Sequence, residues 1–182
     1  RAGIGPVRVL TCDALIEDEA RSCGVEVLKV GEACRNGSER IAEALQRGML
    51  GTPMPEVVVN LQGDAVGVPP SALAAAVAAL AGRPEASLGT CAVWAPAKQH
   101  QGRTTVSVSN GCALAFSRAP LDPGISNFGK LLLHLGLYAY RVPDLLRVAA
   151  NAPTPAEKNE SLEQLRWLET GLSVALKVLG DP

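Results

Sequence analysis

The sequence predicts an α/β fold with a mostly parallel sheet and one inserted antiparallel hairpin element. Runs rich in β-branched residues alternate with segments of helical character in the first half of the chain, a pattern that is typical of βαβ units. In the second half, two alternating runs are joined by Asn110-Gly111, a dipeptide that strongly favours a hairpin turn. The length of 182 residues suits a single domain.

The predicted strands are short apolar runs. They cover residues 7–11, 25–30, 57–61 and 87–94, with a further strand in "LLLHLGLYAY" at 131–140. The strand at 57–61 ends in Gln62-Gly63-Asp64, and ligands bind beyond the carboxyl ends of parallel strands. Asp64 is therefore a candidate Mg²⁺ ligand, although an aspartate at such a position also caps turns. The spacing alone supports both interpretations equally.

Capping residues mark the predicted helices. Asn36 precedes a helix and has Glu39 three residues later, the spacing of a capping box. Two prolines open an Ala-rich helix that ends at Gly82. Thr154 begins a third helix, predicted to run unbroken to Gly171. On it Glu157, Glu160 and Gln164 are expected to share a polar face.

The composition excludes several classes of protein. The 17 Lys and Arg balance 18 Asp and Glu, so the net charge of -1 argues against nucleic acid as a partner. No apolar segment approaches membrane-spanning length, and we expect a cytoplasmic protein without a membrane partner. The five cysteines lack the spacing of a zinc site. Neither GxGxxG nor GxxxxGK[ST] occurs, which argues against dinucleotide and P-loop enzymes.

Several polar residues have both a structural and a functional interpretation. His134 lies in an apolar strand, where a core histidine is the commoner case, and Tyr138 shares its face of the strand. Arg118 follows the hairpin, where it could form a surface salt bridge. Glu163 and Gln164 could be the solvent side of the last helix.

Five motifs in order resemble those of the 3-deoxy-D-manno-octulosonate (KDO) cytidylyltransferases, which make a CMP-sugar from CTP and an acidic sugar. The motifs are "NGSERIAEA", "VVVNLQGD", "LAFSRAP", "HLGLYAYR" and "PTPAEKNESLEQLRWLETG". The resemblance spans the chain and implies a nucleotidyltransferase (Rossmann-like) fold, with CTP and a small acidic acceptor as substrates. It also implies a homodimer, which the apolar residues 131–140 and the hairpin favour on the expectation that they lie outside the parallel sheet.

The resemblance further implies roles for individual residues. Asp64 and Asp181 would bind Mg²⁺, and Arg118 would join Asp64 in catalysis. The nucleotide side would contain Ser38, Arg40, Gln62 and Gly63. The acceptor pocket would be lined by Gln62, Arg118, His134, Tyr138, Glu163 and Gln164. Arg118 could bind the acceptor carboxylate bidentately, and His134 and Tyr138 could hydrogen-bond its hydroxyls.

The match to this family has gaps. Family members carry a triphosphate-binding loop before the position that corresponds to Arg1. The resemblance therefore implies such a loop, and the sequence as given does not include it. Ala65-Val66 replaces an acidic-Pro pair, and the "PLDP" segment at 120–123 replaces an aromatic one. These changes suggest that the acceptor is an acid other than KDO, for example phosphonoformate. The alternative to an enzyme is a non-catalytic protein, a remnant that binds a nucleotide or forms a dimer.

Overall fold

The computed structural model describes residues 3–124 and 129–180. Eight strands and six α-helices make up this part of the chain. The strands are β1 Arg8–Thr11, β2 Glu26–Lys29, β3 Val57–Leu61, β4 Ala86–Pro96, β5 Thr105–Ser109, β6 Cys112–Ser117, β7 Lys130–Arg141 and β8 Ser173–Leu179. The helices are α1 Ala14–Ser22, α2 Gly37–Gln46, α3 Pro70–Ala81, α4 Val142–Ala149, α5 Pro155–Glu160 and α6 Gln164–Glu169.

The main sheet is mixed, so the prediction of a mostly parallel sheet is wrong. Its strand order is β3-β7-β4-β8-β6-β5, and β1 and β2 form a separate parallel pair. Within the main sheet, only β4 and β8 pair in parallel. The late strand β7 lies between β3 and β4 and runs antiparallel to both. Sequence order did not reveal this, because β7 comes long after the two strands that it separates.

Strand β7 belongs to the core of the sheet. Leu132, Leu133 and Leu137 have no exposed surface, because the strand has neighbours on both edges and apolar groups on both faces. The expectation that residues 131–140 offer apolar surface outside the sheet is therefore wrong. In the β5–β6 hairpin, Leu114 does remain 60% exposed.

Local signals located several turns and helix ends correctly. The Asn36 side chain accepts a hydrogen bond from the Glu39 backbone N–H at 3.0 Å and caps α2. Helix α3 ends at Gly82 as predicted. The hairpin turn has positive φ angles of 49° at Asn110 and 73° at Gly111, the conformation that this dipeptide favours.

The last predicted helix is divided into α5 and α6. Thr154 caps its start, but the chain leaves the helix at Ser161, where φ is 54°. Leu162 is buried just after this break, so tertiary burial overrides local helix propensity. The prediction of one solvent face is also wrong, because Glu157 is 8% and Gln164 3% exposed.

Helices cover both faces of the main sheet. Leu137 and Ala139 of β7 pack with α3, while Tyr138 and Tyr140 pack in the cluster that contains residues of α2, α4 and α6. This division follows the alternation of side chains along a strand. Within the described residues, no helix has the length and apolarity that crossing a membrane requires.

Candidate functional site

A cavity of about 1410 Å³ opens where β3 ends, beside the start of α2, the middle of β7 and the α5–α6 segment. Pockets for one small ligand commonly measure about 300–1,000 Å³, so this cavity has room for two substrates. It brings together seven of the residues singled out from the sequence. They are Gln62, Asp64, Arg118, His134, Tyr138, Glu163 and Gln164.

Three other candidates do not line this cavity. Ser38 is buried below it, and Gly63 contributes only to the turn after β3. Arg40 packs over Gly31, where any Cβ would collide with its side chain. The same loop instead presents residues 35–37 to the cavity. Asp181 lies outside the described residues.

The corner after β3 leaves the Asp64 carboxylate free. Backbone hydrogen bonds close the turn, from Ala65 N–H to the Gln62 carbonyl at 3.0 Å and from Val66 N–H to the Asp64 carbonyl at 2.9 Å. In the described part of the chain, no group donates a hydrogen bond to the exposed carboxylate. Turn capping therefore does not account for this side chain.

Asp64 suits a metal that takes most of its ligands from a substrate. Among residues 3–124 and 129–180, no three His, Cys, Asp or Glu side chains cluster as a metal site. Mg²⁺ commonly uses one or two carboxylates and completes its shell with phosphate oxygens and water. One free carboxylate on the wall of a large cavity fits that requirement.

Gly136 allows β7 to approach the Gln62 side chain closely. Its φ is 65°, and a Cβ at this position would lie 3.0 Å from Gln62 Oε1. The Gln62 backbone N–H also donates to the Gly136 carbonyl at 3.4 Å. A side chain at position 136 would strain the backbone and displace the Gln62 amide from the cavity wall.

Both nitrogens of His134 are occupied within the protein. Nδ1 accepts a hydrogen bond from Gly136 N–H at 3.3 Å, and Nε2 lies 2.7 Å from the Thr90 hydroxyl. That hydroxyl donates to the Leu137 carbonyl, so Nε2 carries the ring proton. Burial lowers the pKa of His134 to about 3. His134 thus contributes a ring edge to the cavity and has no nitrogen left to bind an acceptor hydroxyl.

An aromatic row continues from His134 through Tyr138 to the buried Tyr140 and Trp167, and of these last three rings Tyr138 lines the cavity. The rings of Tyr138 and Tyr140 stack at 5.6 Å, and Tyr140 stacks on Trp167 at 5.3 Å. The Tyr138 hydroxyl donates a hydrogen bond to Gln164 Oε1 at 3.4 Å. Burial, followed by the Glu163 charge, raises the pKa of Tyr138 well above its ordinary value. The Tyr138 phenol therefore stays protonated and can act as a donor.

Glu163 has one occupied and one unoccupied oxygen. Oε1 accepts hydrogen bonds from the Ser38 hydroxyl at 3.0 Å and the Tyr140 hydroxyl at 3.3 Å. Oε2 is buried and has no hydrogen-bond partner within the described residues. Burial raises the pKa of Glu163, and the Ser38 hydrogen bond opposes this rise.

The Arg118 guanidinium is not used in a salt bridge. Glu160 accepts from the Arg118 backbone N–H at 2.9 Å and from the Ser117 hydroxyl at 3.0 Å. The guanidinium donates to the Gly102 carbonyl at 3.3 Å, and no carboxylate of the described residues pairs with it. Arg103, which follows Gly102 in the chain, is an exposed cation on the same cavity. Sequence reasoning missed it, because nothing but its charge marks it.

A buried ion network supports the cavity-lining Arg35 and Glu157. Arg166 forms two 2.6 Å hydrogen bonds with Glu157 and contacts Glu39 at 3.3 Å. Glu39 in turn pairs with the cavity-lining Arg35 at 2.6 Å. Sequence reasoning missed this network, although an arginine in the apolar "QLRWL" was a usable signal.

Comparison with known proteins gives a consistent family assignment. A family model described as cytidylyltransferase matches residues 4–174. The chain belongs to the cytidylyltransferase family. It is 37% identical to a 3-deoxy-manno-octulosonate cytidylyltransferase of Nitratidesulfovibrio vulgaris, with 95% of this chain and 71% of that protein covered. A Halorhodospira halophila protein of the same name is also 37% identical, with 95% and 72% covered.

A solved structure of a cytidylyltransferase shares the fold. CMP:2-keto-3-deoxy-manno-octonic acid synthetase, complexed with CTP, superimposes with a TM-score of 0.83 at 25% identity. The alignment covers 99% of this chain and 74% of the other. The nucleotidyltransferase-like α/β fold and the resemblance to KDO cytidylyltransferases are therefore confirmed.

The two departures from the cytidylyltransferase motifs lie in different places. Ala65 and Val66 line the large cavity, as expected for residues near a substrate. Residues 120–123 instead border a separate pocket of about 320 Å³. The two altered segments therefore do not line one common pocket.

Proposed function

We propose that this cytidylyltransferase transfers CMP from CTP to a small acidic acceptor and releases pyrophosphate. One observation carries the proposal: a single cavity joins the first two residues of the motif on the nucleotide side, Asn36 and Gly37, with the free Asp64 carboxylate and the unpaired Arg118 guanidinium. A triphosphate with its metal and an anionic acceptor need these groups on neighbouring walls. Family membership makes CTP the nucleotide.

The acceptor is bound on the side of Arg118. A guanidinium without a carboxylate partner can form two parallel hydrogen bonds with a ligand carboxylate or phosphonate. Arg103 and Lys158 line the same cavity and add positive charge. A KDO-like sugar acid is the leading acceptor, since relatives with 37% identity are named 3-deoxy-manno-octulosonate cytidylyltransferases. Ala65 and Val66 give reason to test a phosphonate as well.

The reaction is an in-line displacement. An acceptor oxygen forms a bond to the α-phosphorus of CTP as the bond to the bridging oxygen breaks, and the acceptor's hydroxyl proton passes to solvent. Asp64 would hold Mg²⁺, which neutralises phosphate charge. Arg118 holds the acceptor anion, and Tyr138, which lines the cavity, limits its orientations.

The direct test is pyrophosphate release by the full-length protein. CTP is supplied with KDO, sialic acid or phosphonoformate, with and without Mg²⁺, and calorimetry compares CTP with ATP, GTP and UTP. We expect CTP binding and Mg²⁺-dependent turnover of one acid. Turnover of none of these acids, with CTP still bound, would favour the non-catalytic remnant. Tighter binding of ATP or GTP than of CTP would reject the proposal that the nucleotide side of the cavity binds CTP.

The homodimer implied by family resemblance stays part of the proposal. Its support from the structure is modest, because β7 is buried and the hairpin contributes Leu114 as its large exposed apolar side chain among the described residues. Light scattering of the full-length protein at micromolar concentration checks it, and a monomer at all concentrations contradicts it. Leu114→Asp should weaken a dimer that uses the hairpin face.

A further inference from the structure

Ser38 lies in the motif assigned to the nucleotide, yet its contacts lead to the acceptor side. Its side chain is buried below the cavity. Its hydroxyl lies 2.9 Å from the Tyr140 hydroxyl and donates to Glu163 Oε1 at 3.0 Å. Helix α2, strand β7 and the residue before α6 thus meet in one hydrogen-bonded group. Residues more than a hundred positions apart are held together there.

The contacts of Glu163 are one-sided. Two hydroxyls are directed at Oε1, whereas Oε2 is buried without a partner in the described part of the chain. Glu163 also lines the cavity. A buried carboxylate oxygen without a donor is costly, and such an atom beside a cavity suits a ligand that brings the missing hydrogen.

We propose that Ser38 is a positioning residue that, with Tyr140, fixes Oε1 of Glu163 so that Oε2 accepts a hydrogen bond from an acceptor hydroxyl. The inference rests on the proposed function and specifies its acceptor as a hydroxy acid. Ser38 does not touch the nucleotide in this account. The carboxylate is the active form in this role, because a proton on Oε2 would make that atom a donor.

The charges around Glu163 determine the direction of the pH effect. Tyr138 and Tyr140 face it from β7, and Glu157 of α5 repels it while paired with Arg166 of α6. Burial raises the pKa of Glu163, and the Ser38 hydrogen bond lowers it. Removal of the Ser38 hydroxyl should therefore raise the pKa of Glu163 further. As the pH is lowered, the variant should then lose acceptor binding at a higher pH than the wild type.

Ser38→Ala in the full-length protein is the central test. We expect the KM for the acceptor to rise roughly tenfold, the effect of one lost hydrogen bond, with the KM for CTP unchanged. The acid limb of kcat/KM for the acceptor should move to higher pH. Ser38→Thr keeps the hydroxyl and should restore both values. Ser87→Ala is the matched control, because Ser87 is also 5% exposed and does not line the cavity.

A second measurement does not depend on turnover. NMR titration of isotope-labelled glutamate carboxyl carbons, with the Glu163 signal assigned through Glu163→Gln, should show a higher pKa of Glu163 in Ser38→Ala. An unchanged pKa would overturn the proposal. A raised KM for CTP instead of the acceptor would make Ser38 a nucleotide contact. If the wild type turns over no hydroxy acid, the assigned role of Oε2 is wrong, and failure with every acid would also reject the proposed function.

Discussion

The two sides of the cavity are built on different principles. On the paired wall, defined as the cavity-lining Arg35 and Glu157 together with their partners Glu39 and Arg166, every charge has a partner within the protein. On the unpaired wall, defined as Asp64, Arg103 and Arg118, the side chains are exposed and form no ion pair with a described residue. The paired wall gives the cavity its shape, and the unpaired wall leaves charges available for substrates.

The difference follows from burial. Arg166 is 2% exposed, and a charge removed from water to that degree needs close partners. Its two short hydrogen bonds to Glu157 and the carbonyls of Val148 and Asn151 supply them. Arg118 remains in water and needs none. Substitutions on the paired wall should therefore act on stability, and those on the unpaired wall on function.

Arg166→Ala should have the largest effect on the fold. It leaves Glu157 buried without its partner, and breaking a buried ion pair in this way costs about 3–5 kcal/mol. Urea unfolding followed by circular dichroism measures the loss. Arg147→Ala is the control, because the Arg147–Asp144 pair is exposed and should contribute below about 1 kcal/mol. Equal losses in the two variants would contradict the distinction between the walls.

Asp64→Asn should abolish function without affecting the fold. An amide replaces a charged hard-metal ligand poorly, so turnover should fall on the order of 10²- to 10³-fold, in line with a metal contribution of several kcal/mol. Calorimetry should also show that Mg²⁺ no longer strengthens CTP binding. Asp18→Asn, an exposed aspartate away from the cavity, provides the control. Full activity in Asp64→Asn would reject the metal role.

Arg118→Ala should raise the KM for every acidic acceptor about 10- to 100-fold, as expected for a charge-assisted bidentate contact. Arg118→Lys should recover part of this loss, since it keeps the charge but not the fork. Arg103→Ala should also raise the KM for the acceptor, but by a smaller factor. Unfolding free energies should stay unchanged in all three. A stability loss comparable to that of Arg166→Ala would move Arg118 to the paired wall.

The sequence predicted the fold where local chemistry decides it. Asn36, Gly82 and the Asn110-Gly111 turn act on residues close to them in the chain, and all three predictions are confirmed. The position of β7 between β3 and β4 depends on contacts between distant segments. The break at Ser161 likewise depends on where Leu162 is buried. No local pattern contains that information.

The candidate site shows the same difference between features that local sequence predicts and features that depend on distant contacts. The motifs identified seven residues that line the cavity. They did not distinguish Asp64, which faces the cavity, from Ser38, which supports Glu163 from below. They also missed Arg103 and the Arg166 network, which depend on partners that only the folded chain brings together.

His134 should give the smallest of the predicted effects, a loss of stability at low pH. It tests whether a residue that lines the cavity can have its polar atoms satisfied like those of the paired wall. It lines the same space as Arg118, yet its nitrogens are satisfied within the protein, as on the paired wall. Burial lowers its pKa from the ordinary 6.5 to about 3, so between these values the unfolded chain binds a proton that the folded chain does not. Stability must therefore fall as pH drops below 6.5 toward 3.

The expected loss from His134 is about 1 kcal/mol between pH 7 and pH 5.5. Urea unfolding of the wild type and His134→Gln at several pH values measures it, and the variant should show a shallower decline because glutamine does not titrate. Glu39, whose pKa is lowered despite burial because Arg35 donates to it, should add acid lability only below about pH 4.5. If both proteins lose stability equally down to pH 5.5, burial does not hold His134 neutral, and the satisfied state of its ring is contradicted.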